Sequence, residues 1–395
     1  MRYASITERL AGLGGAKWAV HARARAMMAA GTEVLALTIG EPDQPPPPEL
    51  LDRARAAMTA GRTGYSNGRG EPGLLAALAA RYSRRCGRAI GVNQIVALPG
   101  TQTALFAVLT ALVGPGDEVL VGDPMYATYE GVIASTGARM VPVPLRPEHG
   151  FRMQVADVVA RITPATRVLF LNSPHNPTGA VLTRAEVQGL GRLAKQHDLW
   201  ILSDEVYEEL VFAGSTFASP LDEADLAERT IVVSSISKSH AAPGFRSGWC
   251  VGPGEFSQRL LPLVETMLFG NQPFIADMTA LAVSKPSAVA REMTARFAAR
   301  ARLIHDALQG RNDLRVHLPQ AGMFTVIDIG ATGLSGEAFA RKLLDEEHVA
   351  VMPGESFGKS LAGWVRVSLT RPDAEIAEAC SRIAAFMARQ LGSKP

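Results

Sequence analysis

From about residue 94 the chain alternates between short β-branched apolar runs and longer stretches in which apolar positions recur at helical spacing. Seven runs read as strands: QIVALP from Gln94, EVLVGD from Glu118, RMVPVP from Arg139, RVLFLN from Arg167, LWILSD from Leu199, TIVVSS from Thr230 and GWCVG from Gly248. Strands alternating with helices predict an α/β architecture with one large, doubly wound, parallel sheet. After about residue 285 the pattern changes. The Ala/Arg-rich stretch AREMTARFAARARLIHDALQG predicts a long helix, and GMFTVIDI and GWVRVSLT predict strands of a smaller α+β domain. The expected division is an N-terminal segment, 1–45, joining the small domain, a large ligand-binding domain, 46–285, and the small domain, 286–395. Pro45 to Pro48 reads as a stiff extended connector.

Composition narrows the partners. The 395 residues carry 40 basic against 38 acidic side chains, a net charge of +2, so no strong field attracts nucleic acid or a membrane surface. Cys86, Cys250 and Cys380 are too few and too scattered for a disulfide framework or a zinc cluster, which fits a reducing compartment. The amino-terminal stretch is cut by charges before any apolar signal region forms. The longest apolar run, Ala104 to Val113, is about half the length a bilayer span requires. A cytoplasmic protein is expected.

In an open α/β sheet the ligand sits at the carboxyl ends of the strands, so the residues just past each strand matter most. After the first comes PGTQTALFAV, a Gly-Thr turn opening a helix whose free N–H groups suit a phosphate. DPMYATY then places Tyr126 at the rim, NSPHNPTG presents Asn172, His175 and Asn176, and SDEVY ends a strand in Asp204 with Tyr207 close behind. The sixth strand delivers Ser235, Ser237 and Lys238. Within SISKSHAAPGFRSGW, Lys238 has no acidic neighbour and comes just after a strand entering the interior, so its ammonium is expected to be half-buried. A phosphate-binding helix start, a stacking aromatic, an Asn and a Tyr, a carboxylate for a ring nitrogen and a lone lysine meet the demands of pyridoxal 5′-phosphate (PLP). A partly desolvated lysine gives up its charge easily enough to form a Schiff base.

From GEPD at Gly40 through NSPHNPTG and SISKSHAAPGFR to WVRVSLT around Arg366, the chain resembles the fold-type I, class I/II aminotransferases. The resemblance implies a PLP-dependent transferase fold with a seven-stranded, mostly parallel sheet. It implies that Lys238 carries the cofactor and moves a proton at the substrate Cα. Asp204 would hold the pyridine nitrogen, Asn176 and Tyr207 the ring hydroxyl, and Tyr126 would stack on the ring. Thr101 and Gln102 backbone groups, with Ser235 and Arg246, would hold the phosphate, and Tyr65 would reach the phosphate of a partner subunit in a homodimer. Arg366 would clamp the substrate α-carboxylate edge to edge, with Asn176 and Gly40 beside it; at Gly40 any side chain would intrude. No metal is implied.

Two positions depart from the family pattern: Gln44 opens the proline tract where an aromatic is usual, and His175 stands where many relatives carry Asn. For His175 a structural turn role is expected. An aminotransferase is the favoured reading; a PLP-dependent lyase or cyclase shares the same cofactor motifs. A PLP-sensing transcription regulator would need a DNA-binding extension for which the 39 residues before GEPD leave no room. For the substrate, MRY at the start, SPHNP, SKSH and GMFTVIDIGATGLS are most similar to the bacterial arginine:pyruvate aminotransferases. That implies L-arginine or a similar basic amino acid as donor and pyruvate as acceptor, against aromatic, neutral or acidic donors. A guanidinium substrate would need a carboxylate or aromatic partner, with Glu41, Asp43 and Glu265 as candidates. Arg69 is the candidate distal group for a dicarboxylate.

Overall fold

The computed structural model describes residues 1–392 and gathers the seven expected runs into one sheet. In spatial order its strands are Ile95–Leu98, Gly248–Val251, Thr230–Ser235, Trp200–Asp204, Thr166–Asn172, Glu118–Asp123 and Arg139–Pro144. Gly248–Val251 runs antiparallel to both neighbours, and every other pairing is parallel. Alternate residues serve opposite faces. Val119 and Val121 pack with Ala104, Val108 and Leu260 on one side, while Leu120 packs with Leu190 and Leu193 on the other. Both faces are covered, which is why the strands read as near-continuous apolar runs.

A second sheet is antiparallel, in the order Met352–Pro353, Trp364–Ser368, Phe324–Asp328, Arg315–His317. Its core takes in residues of the helices Ala288–Leu308, Gly336–Glu347 and Asp373–Gly392. Val20, Ala24 and Leu37 from the N-terminal segment are buried in that same core, and Leu35–Ala36 pairs in parallel with Val349–Ala350. One expectation is corrected: the proline tract does not stay extended to its end, because Pro48 is the first residue of the helix Pro48–Thr59. Proline's fixed φ and missing N–H suit a first helical turn.

A buried charge cluster sets the turn just after Trp200–Asp204. On the helix Pro72–Cys86, Arg85 Nη1 donates to Glu205 at 2.8 Å and Glu208 at 2.7 Å, and its Nε donates to Asp222 at 2.8 Å. Arg81 bridges Glu208 and Glu209 at 2.9 Å each. Glu209 also accepts from the Ser287 N–H at 3.1 Å, and the Ser287 hydroxyl donates to the Ser239 carbonyl at 2.6 Å. The segments carrying Asp204 and Lys238 are therefore fixed to one frame. Burial pushes the Glu205 carboxyl up despite Arg85. At Glu208 burial acts the same way, but Arg81 and Arg85 outweigh it and hold the carboxyl low.

Arg85→Met is expected to lower stability by about 3–5 kcal/mol near neutral pH, because it strands buried carboxylates. Without the guanidinium their folded-state pKa values rise above the unfolded value of about 4.3, so protonation favours the folded state and the deficit shrinks as pH falls. Urea unfolding at about pH 8 and about pH 5.5 checks this; an equal deficit at both would contradict it.

Candidate active site

The carboxyl-terminal edges of the parallel strands open into one cleft of about 280 Å³, which also admits side chains from the second sheet and the N-terminal segment. At one end the strand Ile95–Leu98 turns through Gly100, whose φ of 84° lies in the left-handed region. A Cβ there would also meet the movable end of Arg246, but it is the backbone conformation that calls for glycine. The turn opens the helix Thr101–Leu112, whose first N–H groups have no partner within the helix. Thr101 and Gln102 line the cleft there with Ser235, Ser237 and Arg246. The Thr101 hydroxyl is buried and unpartnered. Arg246 is held by a hydrogen bond to the Pro243 carbonyl at 2.8 Å. A helix start, hydroxyls and a guanidinium converging in one place make an anion cradle.

Asp204 lies buried at the end of its strand. Its Oδ2 accepts from the Tyr129 hydroxyl at 2.8 Å and its Oδ1 from the Val206 N–H at 3.2 Å. Burial pushes this carboxyl up to about 6, against the pull of those two hydrogen bonds. Tyr129, fully enclosed, is pushed far above its ordinary value and so donates its proton rather than losing it. Lys238 is half-buried and its Nζ donates to the Gly40 carbonyl at 2.8 Å. Burial lowers its pKa to about 8; Glu41 opposes the shift, while Arg366 and Arg246 add to it.

The other end is built around Arg366, which is 2% exposed. Its guanidinium lies between the rings of Phe324 and Phe357, 3.8 and 4.3 Å from their centroids. Nη1 donates to Asn176 Oδ1 at 3.2 Å and Nη2 to the Thr38 carbonyl at 2.5 Å, while Nε is buried without a partner. Burial lowers its pKa to about 9, so it stays charged at neutral pH. Asn176 also donates to the Tyr207 hydroxyl at 3.4 Å, linking Arg366 to a tyrosine that is itself buried. Tyr126 stands edge-on to Tyr129, with ring centroids 5.6 Å apart.

Of the site residues expected from the sequence, Gly40, Thr101, Gln102, Tyr126, Asn176, Asp204, Tyr207, Ser235, Lys238, Arg246 and Arg366 all line this cleft. Tyr65 does not: it is 90% exposed and packs edge-on against Phe269 at 5.4 Å. Gly40 is required for an unexpected reason, since a Cβ would run into the Phe324 ring beneath Arg366. His175 is a turn residue, bonded to the Thr178 hydroxyl at 2.8 Å and the Pro124 carbonyl at 3.1 Å; burial pushes it down to about 4, so it is neutral. Two candidates for the substrate's far end are engaged elsewhere, and a third lies outside this chain's own cleft. Asp43 is taken by Arg296 and Arg300, at 2.9 and 2.7 Å, and Arg69 is spent on the Asn93 and Ile95 carbonyls and on Gln258. Glu265 lies against Gly68, outside the cleft. Sequence reasoning missed Tyr129, Trp18 and Phe324, which line the cleft, and Thr38, which orients Arg366. Only Tyr129 left a signal, in its three-residue spacing from Tyr126 at a helix start. Among the described residues no group of three or more His, Cys, Asp or Glu side chains is placed to hold a metal, and no helix is long and apolar enough to cross a membrane.

A buried carboxylate, a lysine of lowered pKa, an anion cradle and a buried guanidinium in one cleft define a site for amino-group chemistry on a phosphorylated cofactor. Residues 32–383 match the family described as aminotransferase class I and II, and the chain belongs to this family, whose members are PLP-dependent enzymes acting on amino acids and 2-oxo acids. It is 45% identical over 392 residues to the arginine–pyruvate transaminase AruH of Pseudomonas aeruginosa, covering 99% of this chain and all of the relative. It is 34% identical to an aspartate/prephenate aminotransferase of Cereibacter sphaeroides, over 94% of this chain and 95% of that one. Among solved structures, the aspartate aminotransferase of Rhizobium meliloti superposes with a TM-score of 0.93 at 30% identity, covering 98% of this chain and 99% of the other.

Lys238 is expected to titrate near pH 8 in the cofactor-free chain rather than at the ordinary lysine value of about 10.4. Competitive acetylation, read on the Lys238 peptide by mass spectrometry across pH, measures this. A midpoint matching surface lysines would contradict the desolvated site.

Proposed function

We propose that this aminotransferase takes L-arginine or a similar basic amino acid as donor and pyruvate as acceptor, with PLP held in the cleft that Lys238 and Arg366 line. The observation that carries the donor reading is the 45% identity to an arginine–pyruvate transaminase along 99% of the chain. The lining supports it, because the cations this chain supplies, Lys238, Arg246 and Arg366, all have other work, and none of them is left for a distal carboxylate.

The cleft fits the cofactor: the buried, unpartnered Thr101 hydroxyl sits at the anion cradle, and every polar group the ring would require is present. Bound there, PLP supplies an aldehyde for the amine and a protonated ring that draws electrons from the substrate. The chain's own residues divide the remaining work. Thr101, Gln102, Ser235 and Arg246 would hold the phosphate, and Tyr126 would face the ring. Asn176 and Tyr207 would serve the ring hydroxyl, and Asp204, oriented by Tyr129, the ring nitrogen. Lys238 would provide the attaching amine and move the proton at the substrate Cα. Arg366 receives the α-carboxylate, for which its unpartnered Nε leaves a donor free. Gly40 and Asn176 lie beside it.

Three further parts of the reading are proposals. The enzyme works as a homodimer in which Tyr65 reaches the partner's phosphate site; the exposed Tyr65–Phe269 pair supports this. It divides into a segment 1–45 joined to a small domain 286–395 and a large domain 46–285, as the buried cores suggest. It acts in the cytoplasm, in keeping with three unpaired cysteines.

A donor panel of arginine, lysine, aspartate, phenylalanine, methionine and alanine at fixed pyruvate tests the substrate. Arginine is expected to exceed alanine in kcat/KM by about tenfold or more; arginine no faster than the neutral amino acids removes the reading. Among variants, Lys238→Ala should abolish turnover while still binding PLP noncovalently. Asp204→Asn should mainly lower kcat and Arg366→Ala mainly raise the amino-acid KM. Identical kinetic effects of the last two would contradict the division of roles.

A further inference from the structure

The donor's α-carboxylate lies at Arg366 in this reading, so its side chain must find its partner elsewhere on the cleft wall. Trp18 lines the same cleft as Ile39, Tyr126, Phe324 and Arg366, although it comes from the far N-terminal segment. Its short helical turn, Ala16–Trp18, is fixed in place. Lys17 Nζ donates to Glu130 at 2.6 Å and to the Ala127 carbonyl at 3.2 Å, and the Ser356 hydroxyl donates to the Lys17 carbonyl at 2.9 Å. On its other side the indole stands edge-on to His21, with ring centroids 6.4 Å apart. His21 Nδ1 lies 2.8 Å from the Thr38 hydroxyl, and the Thr38 carbonyl accepts from Arg366. The indole and the guanidinium clamp are thus tied to one short piece of backbone, which fixes their relative position.

Among the groups this chain supplies to its own cleft, elimination narrows the wall to this ring. The one acidic residue of this lining is Asp204, buried and engaged with Tyr129, so a cationic side chain finds no free carboxylate of this chain there. The Phe324 ring already lies against Arg366. Tyr126 is assigned to the cofactor ring. Trp18 is half-buried, and no Lys or Arg of the chain stacks on it among the described residues. His21 puts no competing positive charge against it, because burial, aided by Arg25, lowers its pKa. Indole is the best of the aromatic faces for a cation.

We propose that Trp18 is the specificity-determining contact for the donor's cationic end, receiving a guanidinium on its ring face while Arg366 holds the α-carboxylate. This rests on the basic-donor reading. Glu41, exposed beside Lys238 and outside the cleft lining, is the rival partner.

The holoenzyme and its Trp18→Phe, Trp18→Leu and Glu41→Gln variants are compared on arginine and alanine at fixed pyruvate. Inhibition by δ-guanidinovalerate, which is arginine without its amine, is compared with that by hexanoate. Trp18→Leu is expected to lower kcat/KM for arginine about tenfold, mainly through KM, and to weaken δ-guanidinovalerate by a similar factor. Alanine and hexanoate should change less than about twofold, and Trp18→Phe should fall between. The arginine-to-alanine ratio does not depend on the folded fraction of a preparation, so a destabilised variant still reports. Equal losses on both donors, or a loss of arginine preference in Glu41→Gln alone, overturn the proposal. A wild type that prefers arginine with Trp18 variants that keep the preference removes this inference only. A wild type with no arginine preference removes the donor reading as well.

Discussion

A guanidinium taken out of water must have its donors filled, and Arg366 is where that constraint gathers distant parts of the chain. Its partners come from the N-terminal segment, through the Thr38 carbonyl, and from the large sheet, through Asn176. The rings on either side come from the second sheet and the turn beyond it, Phe324 and Phe357. Gly40 must be glycine because Phe324 occupies the space its side chain would need, and the Gly40 carbonyl in turn receives Lys238. One buried cation therefore fixes the relation between the lysine, the Asn176–Tyr207 pair and the segment Thr38–Gly40. What it lacks is a partner for Nε, and at a buried guanidinium such a deficit favours a planar anion.

The opposite side is stiffened by charge of another kind. Asp204 and Tyr207 sit on a turn with three glutamates, and Arg81 and Arg85 hold those glutamates from behind. Glu205 is buried and Glu208 half-buried, and Glu209 continues through Ser287 to the carbonyl next to Lys238. Taking such a cluster out of water has a desolvation cost that hydrophobic packing would avoid. Its return is positional: the carboxylate facing a ring nitrogen and the lysine facing an aldehyde must stay in register, and fixed ion pairs are less compliant than apolar contacts.

Much of this was legible in the sequence, for an identifiable reason. Residues at strand ends are read from apolar periodicity and turn chemistry, so Thr101, Asn176, Asp204, Ser235 and Lys238 could be placed before any coordinates. Tyr129 and Phe324 resisted because an aromatic in an apolar run looks like core whether or not one face meets a cleft. Trp18 resisted because its segment has no strong pattern and acquires its place only through Lys17–Glu130 and Ser356. Asp43 misled for the converse reason. Beside Gly40 in sequence it suggests a substrate contact, yet Arg296 and Arg300, 253 and 257 residues away, claim it. Local sequence carries no trace of such pairing.

Three positive charges, Lys238, Arg246 and Arg366, share a cleft with a single carboxylate, Asp204, whose own proton affinity is raised by burial. Arg366 and Arg246 both depress Lys238, so the excess charge adds to burial in easing loss of its proton. The same excess suits a phosphate at one end and an α-carboxylate at the other. A third anion on the donor side chain would find every cation of this chain's cleft in use, whereas an aromatic face can receive a cation without adding to the pull that Glu41 already exerts on Lys238. The electrostatics that activate the lysine thus bear on how the wall can recognise a basic donor, and they favour a ring at the position of Trp18.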